Sequence, residues 1–71
     1  MPRLPVLSGA ELIKALQKAG FHIVRQKGSH VSLQKDNHRT VVPLHPELAK
    51  GTLLGILKQC DIGKDDLLDL L

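Results

Sequence analysis

At Gly20 the hydrophobic period of this chain changes from that of a helix to that of a strand, and the change constrains most of what 71 residues can build. Upstream, Ser8-Gly9-Ala10-Glu11 has the form of a capping box, in which the Ser8 hydroxyl accepts from the Glu11 amide and the Glu11 carboxylate reaches back. Leu12, Ile13, Leu16 and Ala19 then share one helical face, with Lys14, Gln17 and Lys18 mostly outside it. Gly20 stands where a left-handed cap would end the helix. Residues 1–7, with two prolines and no periodicity, read as an extended lead-in.

Downstream the pattern is that of strands. Phe21, Ile23 and Val24 open a first strand that stops at the Lys27-Gly28 turn signal. Val31 and Leu33 alternate with His30, Ser32 and Gln34, so one face is apolar and the other polar. Asp36-Asn37 suits a tight hairpin turn, and Thr40-Val41-Val42 makes a third strand that Pro43 stops. The connection Pro43-Leu44-His45-Pro46-Glu47 has its path fixed by two prolines. Leu53, Ile56, Leu57 and Cys60 recur at the spacing of a helix with one buried face. Asp65 and Asp66 open a short final segment whose apolar side is Leu67, Leu68, Leu70 and Leu71. The expected fold class is α+β, in the order α-β-β-β-α with a terminal helical turn. Two helices cover one face of a three-stranded antiparallel sheet, residues 1–71 form one domain, and the other sheet face is left polar and open.

A chain this short buries only roughly 60% of the surface its unfolded form exposes. No apolar run approaches the ~20 residues that cross a bilayer. Met1-Pro2-Arg3-Leu4-Pro5 lacks the apolar stretch of a signal peptide, so the expected location is the cytoplasm, away from any membrane. Cys60 is the only cysteine, which excludes a disulfide framework and any site built from several thiolates; it is expected as a small buried hydrophobe on the second helix. The charge is unevenly spread. Residues 1–60 carry nine Lys and Arg against Glu11, Asp36 and Glu47, whereas residues 61–71 carry Lys64 against Asp61, Asp65, Asp66 and Asp69. A basic body points to a polyanionic partner.

Four histidines are the candidates for chemistry. His22, His30, His38 and His45 have neither the helical i, i+4 spacing of a zinc site nor cysteine companions, so no metal and no other cofactor is expected. His22 and His38 read as solvated surface residues, and His45, between Leu44 and Pro46, as a group that hydrogen-bonds across its loop rather than one that reacts. His30 differs. It follows Gly28-Ser29 at the start of a strand and shares the uncovered face with Ser32 and Gln34. Arg25, Lys27 and Lys35 are near in sequence, and Arg39 comes from the facing strand. Imidazole among cations suits proton transfer beside a phosphate, the step that attack of a ribose 2′-hydroxyl on phosphorus requires. The cations would stabilise the phosphorane. Gly28 supplies the turn that presents Ser29 and His30. Phe21 is the sole Phe, Tyr or Trp and is expected in the core, so base stacking on exposed rings is not expected, while contact through phosphates and sugar hydroxyls stays open.

Four blocks in order, spanning nearly the whole chain, resemble the HicA (YcfA-like) toxins: Ser8 to Phe21; Gln26-Lys27-Gly28-Ser29-His30; Val42-Pro43-Leu44-His45-Pro46; and Gly51-Thr52-Leu53 with Ile56-Leu57-Lys58-Gln59. The closing Asp65-Asp66-Leu67-Leu68-Asp69-Leu70-Leu71 is similar to their carboxyl terminus. The resemblance implies a fold like a double-stranded-RNA-binding domain and the toxin role in a type II toxin–antitoxin system. It also implies metal-independent, translation-independent cleavage of mRNA with the histidine of the Gly-Ser-His block, His30, as the general acid or base, and a HicB antitoxin as the protein partner. The chain departs from the family pattern at Val31, where many relatives carry a second histidine, so a proton relay through that position is not expected. It also departs at Leu54 and Gly55, which stand where polar or basic residues are common. Two other readings remain open: a noncatalytic RNA-binding module of the same fold, and a surface made only for another protein. An intact Gly28-Ser29-His30 block favours the enzyme over the module, and steep salt dependence would separate RNA binding from protein binding.

Overall fold

The computed structural model describes residues 4–71; Met1, Pro2 and Arg3, the start of the expected lead-in, lie outside the described residues. The elements run α1 (Gly9–Lys18), β1 (His22–Lys27), β2 (His30–Lys35), β3 (His38–Pro43), α2 (Lys50–Cys60) and α3 (Lys64–Leu70). The α-β-β-β-α order holds, and the expected terminal turn is a seven-residue helix.

The capping box forms: the Ser8 amide donates to Glu11 Oε1 at 3.0 Å, and the Glu11 amide to Ser8 Oγ at 3.1 Å. These bonds to Ser8 hold the Glu11 carboxyl below its ordinary pKa. The stabilisation they bring therefore stands at neutral pH and is lost as the pH falls through that lowered value. At the other end the Phe21 amide donates to the Leu16 carbonyl at 3.0 Å and the Gly20 amide to that of Gln17 at 3.1 Å, a Schellman closure with Gly20 at φ 101°.

The strands pair antiparallel in the order β1-β2-β3. Both hairpins have two-residue turns, with Gly28 at φ 58° in the first and Asp36 at φ 52° in the second. Val31, Leu33, Thr40 and Val42 point to the helices and are buried, together with Leu12, Leu16, Phe21, Leu53, Ile56, Leu57 and Leu67. Val31 is thus a core residue on the side away from His30. Thr40 is the one buried polar residue among those described, and its hydroxyl donates to Gln59 Oε1 at 2.7 Å, tying β3 to α2. The helices pack chiefly on the β3 side, and β1 is exposed along its length, with Ile23 46% and Val24 42% exposed.

Cys60 is buried, as its spacing required. Burial pushes its thiol up to about 11, against a smaller opposing effect of a hydrogen bond with Thr40. Folding therefore disfavours the thiolate: this contribution to stability stands at neutral pH and is lost as the pH climbs through about 11. The native protein should resist a thiol-specific alkylating agent at pH 8 and label fully once unfolded; rapid native labelling would contradict the burial.

Gly55 lies exposed in the middle of α2 with open space where a Cβ would stand. Gly55→Ala should therefore stabilise by up to about 1 kcal/mol. In a domain of this size that raises Tm by about 4–8 °C, readable in a thermal melt.

Candidate active site

Directly paired residues of an antiparallel ladder share a face. By register the face opposite the helices therefore carries His22, Arg25 and Lys27 from β1, His30, Ser32 and Gln34 from β2, and Arg39, Val41 and Pro43 from β3, of which Pro43, at the strand's end, is buried. His30 is exposed, with Lys27 directly across on one side and Pro43 on the other. Arg25 faces Ser32, two residues along. No carboxylate stands among these nine residues.

Arg25 and Lys27 reach this face through a β-bulge. The register is His22 to Gln34 and Ile23 to Leu33, then Arg25 to Ser32, leaving Val24 without a partner. In a strict two-residue alternation Val24 would oppose Ser32, and both Arg25 and Lys27 would point to the helix side. The bulge flips the second half of β1 and puts both cations beside His30. Nothing in His22-Ile23-Val24-Arg25-Gln26-Lys27 marks it, because the side chains run on without a glycine or proline.

The other basic candidates lie elsewhere. Arg39 is on the open face but pairs with Gln34, four residues from His30 along β2, about 13 Å at the rise of a strand. Lys35 faces the helix side, where its ammonium donates to the Ala19 carbonyl at 2.7 Å and so caps the end of α1. His38 is not simply solvated: it is half-buried, and its Nδ1 is 3.2 Å from the Gln59 carbonyl at the end of α2.

The turn carrying Gly28 and Ser29 is held from two sides. Gln26 Nε2 donates to the Gly28 carbonyl at 3.3 Å, and the Leu44 amide donates to the Ser29 carbonyl at 2.7 Å. Leu44 belongs to the proline-bounded connection, which is itself anchored where the Gly9 amide donates to the His45 carbonyl at 2.9 Å. It is thus the backbone of His45, not its ring, that bonds across the loop.

Among the described residues no three His, Cys, Asp or Glu side chains come together to hold a metal ion, and no helix is long and apolar enough to cross a membrane. A shallow cleft of about 350 Å³ lies between α1 and the end of α3, lined by Leu7, Glu11, Lys14, Ala15, Lys18, Leu70 and Leu71, all off the His30 face. His30 itself is exposed, on a face that carries Lys27, Arg25 and Arg39.

Comparison with known proteins agrees with the sequence reading at the level of family. The family described as the HicA toxin of bacterial toxin–antitoxin systems matches residues 9–62. Neither a search of curated proteins nor one of solved structures returns a match. The matched stretch runs from the first residue of α1 to just past α2 and takes in the whole sheet, and by that match the chain belongs to the HicA toxin family, whose members work opposite an antitoxin partner.

Proposed function

We propose that this toxin is a metal-independent endoribonuclease that cleaves mRNA without need of translation, with His30 as its general acid–base residue. The observation that carries the reading is the exposed His30 set opposite Lys27 on a sheet face that holds Arg25 and Arg39 and no carboxylate. An RNA backbone laid on that face brings a phosphate between His30 and Lys27. His30 takes the proton of the 2′-hydroxyl, the 2′-oxygen attacks phosphorus, and the 5′-oxygen leaves with a proton, giving a 2′,3′-cyclic phosphate. Lys27 and Arg25 offset the charge gathering on the phosphorane, and Arg39 binds a phosphate further along. Gly28 and Ser29 fix where His30 stands, and Lys35, engaged with Ala19, adds only to the field at a distance. The protein partner is a HicB-type antitoxin that covers this face, and the site of action is the cytoplasm.

The test is cleavage of end-labelled RNA in excess chelator. Chelator-resistant cutting that leaves 2′,3′-cyclic ends is expected. RNA retained without cutting would indicate the noncatalytic binding module instead. Affinity should fall steeply with salt, and Lys27→Ala and Arg25→Ala should each reduce the slope by about 0.7, the value for one phosphate contact on a single strand. A salt-independent affinity would point to a surface built for protein.

A further inference from the structure

We propose that His45 is a second catalytic residue, supplying the proton that the departing 5′-oxygen needs. The inference rests on the reading of His30 as the base and completes it, since cleavage through a 2′-hydroxyl requires one group to take a proton and another to give one.

The backbone brings the two histidines together. Pro43 is the ladder partner of His30, and the pairing runs one bond further, from the Leu44 amide to the Ser29 carbonyl at 2.7 Å. His45 follows directly. It precedes Pro46, which disfavours the helical region and biases it to extended backbone. An extended residue two places after Pro43 belongs to the same side of the sheet as Pro43, which is the side of His30. It is then the diagonal neighbour of His30, about 7–8 Å away by the usual ladder spacing, a gap that two imidazoles with a phosphate between them would fill.

The position is also held firmly. The His45 carbonyl accepts from the Gly9 amide at the start of α1, and the Leu48 amide donates to the Leu7 carbonyl at 2.7 Å. These are main-chain bonds, so they fix where His45 stands without occupying its ring. The residue is exposed, and of the four histidines only His38 has its ring tied to another described residue. No other exposed imidazole stands at this end of the sheet: His22 pairs with Gln34, at the opposite end of β2.

The step balances. As the 2′-oxygen–phosphorus bond forms, its proton passes to neutral His30; as the phosphorus–5′-oxygen bond breaks, protonated His45 gives its proton to that oxygen. Water then opens the cyclic phosphate with the two roles exchanged, which restores both residues.

The test compares ordinary RNA with a strand whose scissile 5′-oxygen is replaced by sulfur, a leaving group that departs as thiolate without being protonated. His45→Ala is expected to slow cleavage of ordinary RNA by about 10²-fold or more, and to cut the sulfur-bridged strand within about tenfold of the wild type. His30→Ala should slow both. The His45 substitution spares the main-chain bonds, and a thermal melt alongside verifies the fold. Cleavage of ordinary RNA at the wild-type rate by His45→Ala, or equal slowing on both substrates, would overturn the proposal. A wild type that cuts neither substrate would overturn the reading of His30 itself.

Discussion

His30→Ala is expected to lower the rate of RNA cleavage by about 10²–10⁴-fold, the range a positioned general acid or base contributes, and to abolish toxicity. The fold should survive. His30 is exposed on the face opposite the core, and its place in the ladder is made by backbone groups that alanine keeps. Surface substitutions of this kind change stability by less than about 0.5 kcal/mol, a few degrees in Tm at most. Antitoxin binding should persist too, because a partner covering the whole face would lose one imidazole among many contacts. RNA affinity should keep its salt slope, since Lys27, Arg25 and Arg39 remain. The variant thus separates three roles in one set of measurements: rate, melting and binding. Loss of the cooperative thermal transition would make His30 a structural residue, and cleavage at the wild-type rate would move the chemistry elsewhere on the face.

The elements were legible in the sequence because local rules agreed with one another. The Ser8–Glu11 box, the glycine at position 20 and the two-residue alternation from His30 to Gln34 each have a mechanism that acts within a few residues, and each took the expected form. The features missed are those that depend on what lies across the sheet. The bulge at Val24 answers to the pairing of β1 with β2, not to any preference of valine, yet it decides which way Arg25 and Lys27 point. Lys35 is near His30 in sequence, but its strand position sends it to the end of α1. His38 reads as solvated from its own neighbours because the carbonyl it meets, that of Gln59, lies 21 residues away. In the same way nothing local to His45 signals that it lies two residues beyond the ladder partner of His30.

Gly9→Ala should destabilise the protein by about 1–3 kcal/mol or more, the cost of forcing atoms into a filled space, and lower Tm by roughly 5–25 °C. A Cβ on Gly9 would fall far inside van der Waals contact distance of the Pro43 carbonyl oxygen and 3.0 Å from the Leu44 Cα. Both are backbone atoms held in place, Pro43 by its pairing with His30 and Leu44 by the bond to Ser29, so no side chain can swing aside to make room. The first turn of α1 would have to retreat, stretching the bond from the Gly9 amide to His45. Alanine gains up to about 1 kcal/mol over glycine in a helix interior, which cannot offset the clash. Gly55→Ala makes the same chemical change in the other long helix, where nothing lies within 4 Å of the added carbon, and there the gain stands alone. One substitution should therefore lower the melting temperature at position 9 and raise it at position 55. Equal behaviour at the two sites would mean that α1 does not approach the end of β3 as closely as described. Because that approach also fixes the His45 backbone, the folded fraction of Gly9→Ala should cleave RNA more slowly than the wild type, whereas Gly55→Ala, remote from the sheet's open face, should leave the rate unchanged.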